Sequence, residues 1–134
     1  MSSNPVLGKS STMINFNGIQ DLYSEHDLIE FELHNSSDDN LFFYCVVEKK
    51  IEGHWREVVP SIAATKVSKS VKLSEIAPNQ TQRLIWDRSK QKFYPAINLG
   101  VFRFKLEILD HQEKKSIGRV FSKEFEISQQ PLKK

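Results

Sequence analysis

The chain has 134 residues, 39% of them apolar, and carries nineteen basic against seventeen acidic side chains for a net charge of +2. That is enough apolar material for one core without metal or disulfide staples, and the near-neutral balance argues against nucleic acid as the main partner, since neutralising a run of phosphates needs a concentrated basic surface, while leaving a local basic patch open. The single cysteine, Cys45, rules out an internal disulfide framework; no apolar run approaches the ~20 residues of a membrane helix, and residues 1–12 lack the apolar segment of a signal peptide, so no membrane insertion is expected.

Period-two alternation between turn signals recurs along the chain, and no long stretch holds a helical period, which predicts an all-β fold. Residues 1–11 are expected to form a flexible segment, 12–128 one domain, and 129–134 a frayed tail. Thr12–Asn17 is the first predicted strand, closed by Gly18, and Asp21–Asp27 a polar connection. In Leu28–His34 the residues Ile29, Phe31 and Leu33 face a core while Glu30, Glu32 and His34 face water. Asn35–Asn40 (NSSDDN) is a turn, since short polar side chains bond their own backbone.

Leu41–Glu48 is apolar on both faces and predicts a central strand, with Leu41, Phe43, Cys45 and Val47 inward. Ile51–Gly53 turns it into a hairpin whose return strand alternates Trp55, Glu57 and Val59 against His54, Arg56 and Val58. Trp55 is expected to cover the core, so that alanine there would cost about 3–5 kcal/mol if the ring is fully buried. The competing role, an exposed platform for sugar, needs a second aromatic such as Tyr44 or Phe42 on the same surface.

From Pro60 to Asn79 the pattern weakens to a long crossover with a short strand at Val71–Leu73 and a turn at Ile76–Asn79 leading into Thr81–Trp86. Arg88–Leu99 is irregular. Val101–Leu109 alternates Phe102, Phe104, Leu106 and Ile108 with Arg103, Lys105 and Glu107, the signature of a core strand, and Asp110–Ser116 is its polar loop. Ile117–Ser128 is the last strand, with Phe121, Phe125 and Ile127 on one parity and Lys123 interrupting it as a bulge or exposed edge. The count is seven or eight strands.

The order of these motifs resembles bacterial immunoglobulin-like domains over about residues 12–128. IEFELHN with its NSSDDN turn, YCVVEKKIEGHWREV, IAPNQTQRLIWD, LGVFRFKLEIL and VFSKEFEI carry the resemblance, with Asn35, Asn40, Gly53, Trp55, Gly100, Phe102, Arg103 and Phe104 at the characteristic positions. It implies an immunoglobulin-like antiparallel β-sandwich, in a branch without the inter-sheet cysteine pair and with Phe102 where antibody domains place a tyrosine. A second resemblance is to the small intracellular proteinase inhibitors of bacilli.

No catalytic constellation emerges. His26, His34, His54 and His111 have no close metal-ligand spacing, Asp38 and Asp39 belong to turn chemistry, and Cys45 sits in an apolar run that raises its thiol pKa. Neither cofactor nor metal is expected, and the chain is predicted to be a non-catalytic module that binds a protein partner. The alternatives are a proteinase inhibitor using a loop within Pro60–Asn79, and a carbohydrate-binding module. The predicted contact is the loop holding Arg88, Lys90, Lys92, Phe93 and Tyr94, which combines positive charge with aromatics as interface hot spots do. In the opposing reading Phe93 and Tyr94 cap the end of the core.

Overall fold

The computed structural model describes residues 13–62, 73–91, 97–110 and 115–129. They form ten strands and one 3-10 turn, Arg88–Lys90. The strands are β1 (Ile14–Asn17), β2 (Leu22–Ser24), β3 (Ile29–Asn35), β4 (Leu41–Ile51), β5 (His54–Val59), β6 (Ser74–Ile76), β7 (Thr81–Trp86), β8 (Gly100–Leu109), β9 (Ser116–Phe121) and β10 (Phe125–Ser128). The fold is all-β, as the alternation predicts.

Two sheets result. The smaller runs β1-β3-β7, and the larger runs β2-β10-β8-β4-β5, with β6 also on β4 and β9 also on β8. Every pairing is antiparallel except β10 with β2. The sheets face each other through aromatic rings: Phe31 of β3 stacks on Phe104 of β8 at 4.4 Å, and Trp86 of β7 meets the edges of Phe102 and Phe104 at 5.7 and 5.8 Å. Ile29, Phe31 and Leu33 are buried, and so are Leu41, Phe43, Cys45 and Val47. Both inward sets are those that the alternation marks.

Several boundaries differ. The connection Asp21–Asp27 contains β2, a three-residue parallel strand whose one inward residue, Tyr23, packs edge-on against Phe125 at 5.6 Å. Three residues with one buried member leave no period to detect. The central strand continues past Glu48 to Ile51. Of the short strand expected at Val71–Leu73, residues 71–72 lie outside the described residues, and the strand in this region is β6. The last strand is divided at 122–124: Ser122 spans the break, its N–H donating to the Phe104 carbonyl and its Oγ accepting the Phe104 N–H, each at 2.9 Å. The division shifts the parity, so Val120 turns inward with Phe125 and Ile127 while Phe121 turns out, 46% exposed.

Trp55 requires the largest correction. Val47 lies opposite Val59, but Glu48 lies opposite Glu57, so Val58 is an extra residue on β5 and the pair bulges there. The bulge reverses the facing of everything before it. Val59 remains inward and buried, whereas Trp55 and Glu57 join Glu48 and Lys50 on the outer face, and Trp55 is only half-buried. The enclosed indole is that of Trp86, with no exposed surface, and its Nε1–H donates to Gln91 Oε1 at 2.7 Å.

The turns follow their residues. Glu52 and Gly53 both have positive φ, 52° and 83°, the backbone that closes a tight hairpin between β4 and β5. At Gly100 φ is 141°, and a Cβ there would meet Lys49 Cε at 2.7 Å, where Lys49 lies over the Phe102 ring. Gly100→Ala is therefore expected to lower stability by about 1 kcal/mol or more. Urea denaturation measures this, and an unchanged midpoint would show that β8 can start with an ordinary backbone.

Candidate functional site

The loop expected to make the contact begins directly after β7. Asp87 caps the 3-10 turn: its Oδ1 accepts from the Ser89 hydroxyl and N–H, and the hydroxyl bond holds its carboxyl below the usual carboxylate range. Arg88 turns back into the protein. Its Nη2 donates to the carbonyls of Asp27 at 2.9 Å and Ser24 at 3.3 Å, and its guanidinium lies 5.8 Å from the Trp86 ring. Burial pulls its pKa down, opposed by the nearby Asp27 and Glu25. Arg88 thus fastens the turn between β2 and β3 to the end of β7. Lys90 is exposed. Lys92, Phe93 and Tyr94 lie outside the described residues, whereas Gln91, just before them, is buried and donates from Nε2 to the Ser61 carbonyl at 3.0 Å.

A different surface gathers aromatic and charged side chains. On the outer face of the larger sheet, β8 presents Arg103, Lys105 and Glu107, and the registers place them opposite Glu48, Val46 and Tyr44 of β4. On the other side of β8, Lys105 is opposite Phe121 and Glu107 opposite Arg119. The Arg103 guanidinium is held between two rings, 4.3 Å from Trp55 and 4.1 Å from Phe121. Its Nε donates to Glu48 Oε1 at 2.8 Å, and Lys105 Nζ lies 3.5 Å from Glu48 Oε2. Lys50 Nζ lies 5.8 Å from Trp55.

A second ion pair adjoins the first. Arg119 Nε donates to Glu107 Oε1 at 2.9 Å, and the Ser116 hydroxyl donates to Glu107 Oε2. The hydrogen bond from Arg119 to Glu107 raises the pKa of Arg119. Burial, then Glu107 and Glu57, push the Tyr44 phenol up. The vertical order matters here: Glu48 and Glu107 lie deep, 8% and 7% exposed, while the Arg119 side chain above is 61% exposed. Arg103 and Lys105 lie nearly as deep as Glu48, their side chains 22% and 18% exposed, so the exposed part of the face is made by Arg119, Phe121 and Lys50, with Glu57 as an exposed carboxylate at the β5 edge. Such pairs fix orientation more than they add stability.

The outer face of the smaller sheet is ordinary by comparison. It presents Glu30, Glu32, His34, Thr81, Arg83 and Ile85, with His34 Nδ1 2.9 Å from Thr81 Oγ1 and Arg83 3.8 Å from Glu30. Among the described residues no group of three His, Cys, Asp or Glu side chains is placed to hold a metal, and no helix is long and apolar enough to cross a membrane. The Cys45 thiol is enclosed between the sheets, where burial pushes its pKa well above the ordinary 9.0.

Alternation located Arg103 on an outer face. It did not find Trp55 or Phe121 beside it, because a bulge at Val58 and the break after Phe121 each shift the parity; the first leaves no mark in the sequence, and the second shows only as the interruption at Lys123, which does not say which way Phe121 turns.

No family model matches the chain, and no curated protein does. Among solved structures it is similar to a β-glucosidase from Listeria innocua, at 11% identity and a TM-score of 0.49, over 89% of this chain and 16% of that one. It is also similar to the periplasmic chaperone SfaE, at 13% identity and 0.47, over 87% and 56% of the two chains. A third likeness is to the alkylpurine DNA glycosylase AlkC of Pseudomonas fluorescens, at 12% and 0.42, over 92% and 35%. The chain spans less than two thirds of each of these proteins, and none of the three carries an argument about function.

Proposed function

We propose that the chain is a non-catalytic, protein-binding module of immunoglobulin-like architecture whose contact surface is the outer face of the larger sheet. The observation that carries the reading is the Trp55–Arg103–Phe121 stack: two partly exposed aromatic rings on β5 and β9 held around a guanidinium on β8. Tryptophan and arginine dominate interface hot spots, and side chains ordered before binding lose less entropy on contact. An exposed Phe121 has no core to serve at that position. The architecture is supported by β3 and β7 in one sheet facing β4, β8 and the interrupted β9 and β10 in the other, with the start of the chain contributing to both.

The alternatives draw less from the molecule. Arg103 covers one side of the Trp55 ring that a sugar would stack upon. In the inhibitor reading the protruding loop falls largely in 63–72, outside the described residues, and its flanks are tied to β4 by β6 and by the Ile62 N–H donating to the Cys45 carbonyl at 3.0 Å.

Quantitative pull-down from an extract of the source cells tests the proposal. Trp55→Ala and Phe121→Ala are each expected to weaken capture of the same partner by at least about tenfold, as hot-spot truncation does, while Glu32→Ala on the opposite face leaves it unchanged. Equal capture by all three variants would remove the outer face from consideration. A panel of serine proteases run alongside separates the inhibitor reading, which demands stoichiometric inhibition.

A further inference from the structure

The outer face of the larger sheet leaves one strong donor group unused. A guanidinium is planar, with its N–H groups along the edge and two open faces. The rings of Trp55 and Phe121, at 4.3 and 4.1 Å, flank the Arg103 guanidinium, and Nε is taken by Glu48 Oε1 at 2.8 Å. Glu48 does not grip it with both oxygens, since Oε2 lies 3.5 Å from Lys105 Nζ. Among the described residues nothing else accepts from the Arg103 side chain, so the N–H groups of Nη1 and Nη2 are left over.

The charges around the stack do not balance either. Glu48 is one carboxylate shared by two cations, so Arg103 and Lys105 together keep one positive charge in excess. Arg119 and Glu107 neutralise each other, and Lys50 beside the Trp55 ring is matched in charge by the exposed Glu57 of β5. The excess sits low in the face, where the Arg103 and Lys105 side chains are mostly enclosed. Water screens it less there than at an open surface, and a counter-charge that reaches it is held more strongly.

A planar acceptor with two oxygens matches the remaining edge of the guanidinium, because a carboxylate can take two N–H groups side by side. Its single negative charge also matches the excess. A phosphate dianion brings more charge than the cluster lacks, and would meet Glu48, Glu107 and Glu57 around the same spot.

We propose that the partner of this face inserts one aspartate or glutamate side chain between Trp55 and Phe121, where its carboxylate accepts from the Nη groups of Arg103. The proposal rests on the reading of the outer face as the contact surface and adds the partner's chemistry to it. Such a contact sets specificity more than affinity.

Panning a phage-displayed library of linear peptides on the full chain supplies the probe, the best synthetic peptide, together with a version carrying the matching amide in place of its acid. The expected consensus has one invariant Asp or Glu beside apolar residues. On the unmodified chain the amide peptide is expected to bind at least about tenfold more weakly, as when a charge-assisted pair is lost. On Arg103→Lys, which keeps the charge and loses the fork, the two peptides should differ by about threefold or less. Arg83→Lys on the opposite sheet should keep the full difference. So should Arg119→Ala, which removes an exposed cation two residues from Phe121; loss of the difference there would assign the carboxylate to Arg119 and overturn the proposal, and this comparison decides even where Arg103→Lys fails to fold. Trp55→Ala and Phe121→Ala separate the two levels of the reading. If neither weakens the peptide, the contact surface lies elsewhere and the proposal falls with it. If both weaken it while acid and amide peptides bind alike, the face stands and the carboxylate contact is overturned. A selection that yields no binder, or binders without a fixed acid, overturns it as well.

Discussion

Trp86→Ala is expected to cost about 3–5 kcal/mol of folding stability, the range for deleting a fully enclosed aromatic. Trp86 joins the two sheets, with its ring against Phe102 and Phe104 across the interface. Its loss leaves a cavity that strands fixed by ladder bonds close poorly. It also orphans Gln91 Oε1, which is buried and accepts the indole N–H at 2.7 Å. Trp86→Phe separates the two contributions, since it keeps most of the volume and removes only the donor; a cost of about 1–3 kcal/mol is expected from the unpaired amide oxygen. In urea denaturation Trp55→Ala should lie well above Trp86→Ala in midpoint, because Trp55 is only half-buried. The opposite order would mean that the bulge at Val58 does not turn Trp55 outward.

Asn35→Ala is expected to have the next largest effect. Asn35 is fully buried, and its side chain ties three segments together. Nδ2 donates to the carbonyls of Asp39 at 2.8 Å and Ile76 at 3.0 Å, and Oδ1 accepts from the N–H and hydroxyl of Ser37 at 2.9 and 2.7 Å. Its backbone completes the junction by donating to the Gln80 carbonyl and accepting from the Asn79 N–H. Each buried group left without a partner costs about 1–3 kcal/mol, and the Ile76 carbonyl is the most enclosed of them. Ser37→Ala touches only the exposed side of the network and should cost about 1 kcal/mol or less. Comparable midpoints for the two variants would show that the link to Ile76 contributes nothing.

These two residues show how far the sequence can be read. Strands β3 and β8 are legible because one face of each is wet or charged and alternation survives intact from end to end. The turn after Asn35 is legible from its composition. The role of Asn35 is not, because its partners at Ile76 and Gln80 come from a distant turn, and no local pattern records a contact made by folding. HWREVV and TQRLIW look alike, each a short strand carrying one tryptophan. What separates them is a single inserted residue at Val58, which shows itself only when β5 is laid against β4. The same holds for the outer-face stack: Arg103 was placed by alternation, while Trp55 and Phe121 were displaced by one residue each. At Arg88, within the contact predicted at 88–94, the inward bonds were not legible for a related reason. A positive charge near aromatics marks an interface and an internal clamp equally, and the carbonyls of Ser24 and Asp27 that decide between them are far away in the chain.

The central claim, that the outer face of the larger sheet is where a protein partner docks, is tested most directly by site-specific photo-cross-linking. A photoreactive phenylalanine is placed at position 121, beside Arg103, or at position 32 on the opposite sheet, and each chain is irradiated in an extract of the source cells. The account predicts one discrete adduct from position 121, lost when Trp55→Ala is added, and none from position 32. An adduct from position 32 alone, or one from position 121 that persists undiminished with Trp55→Ala, would contradict it.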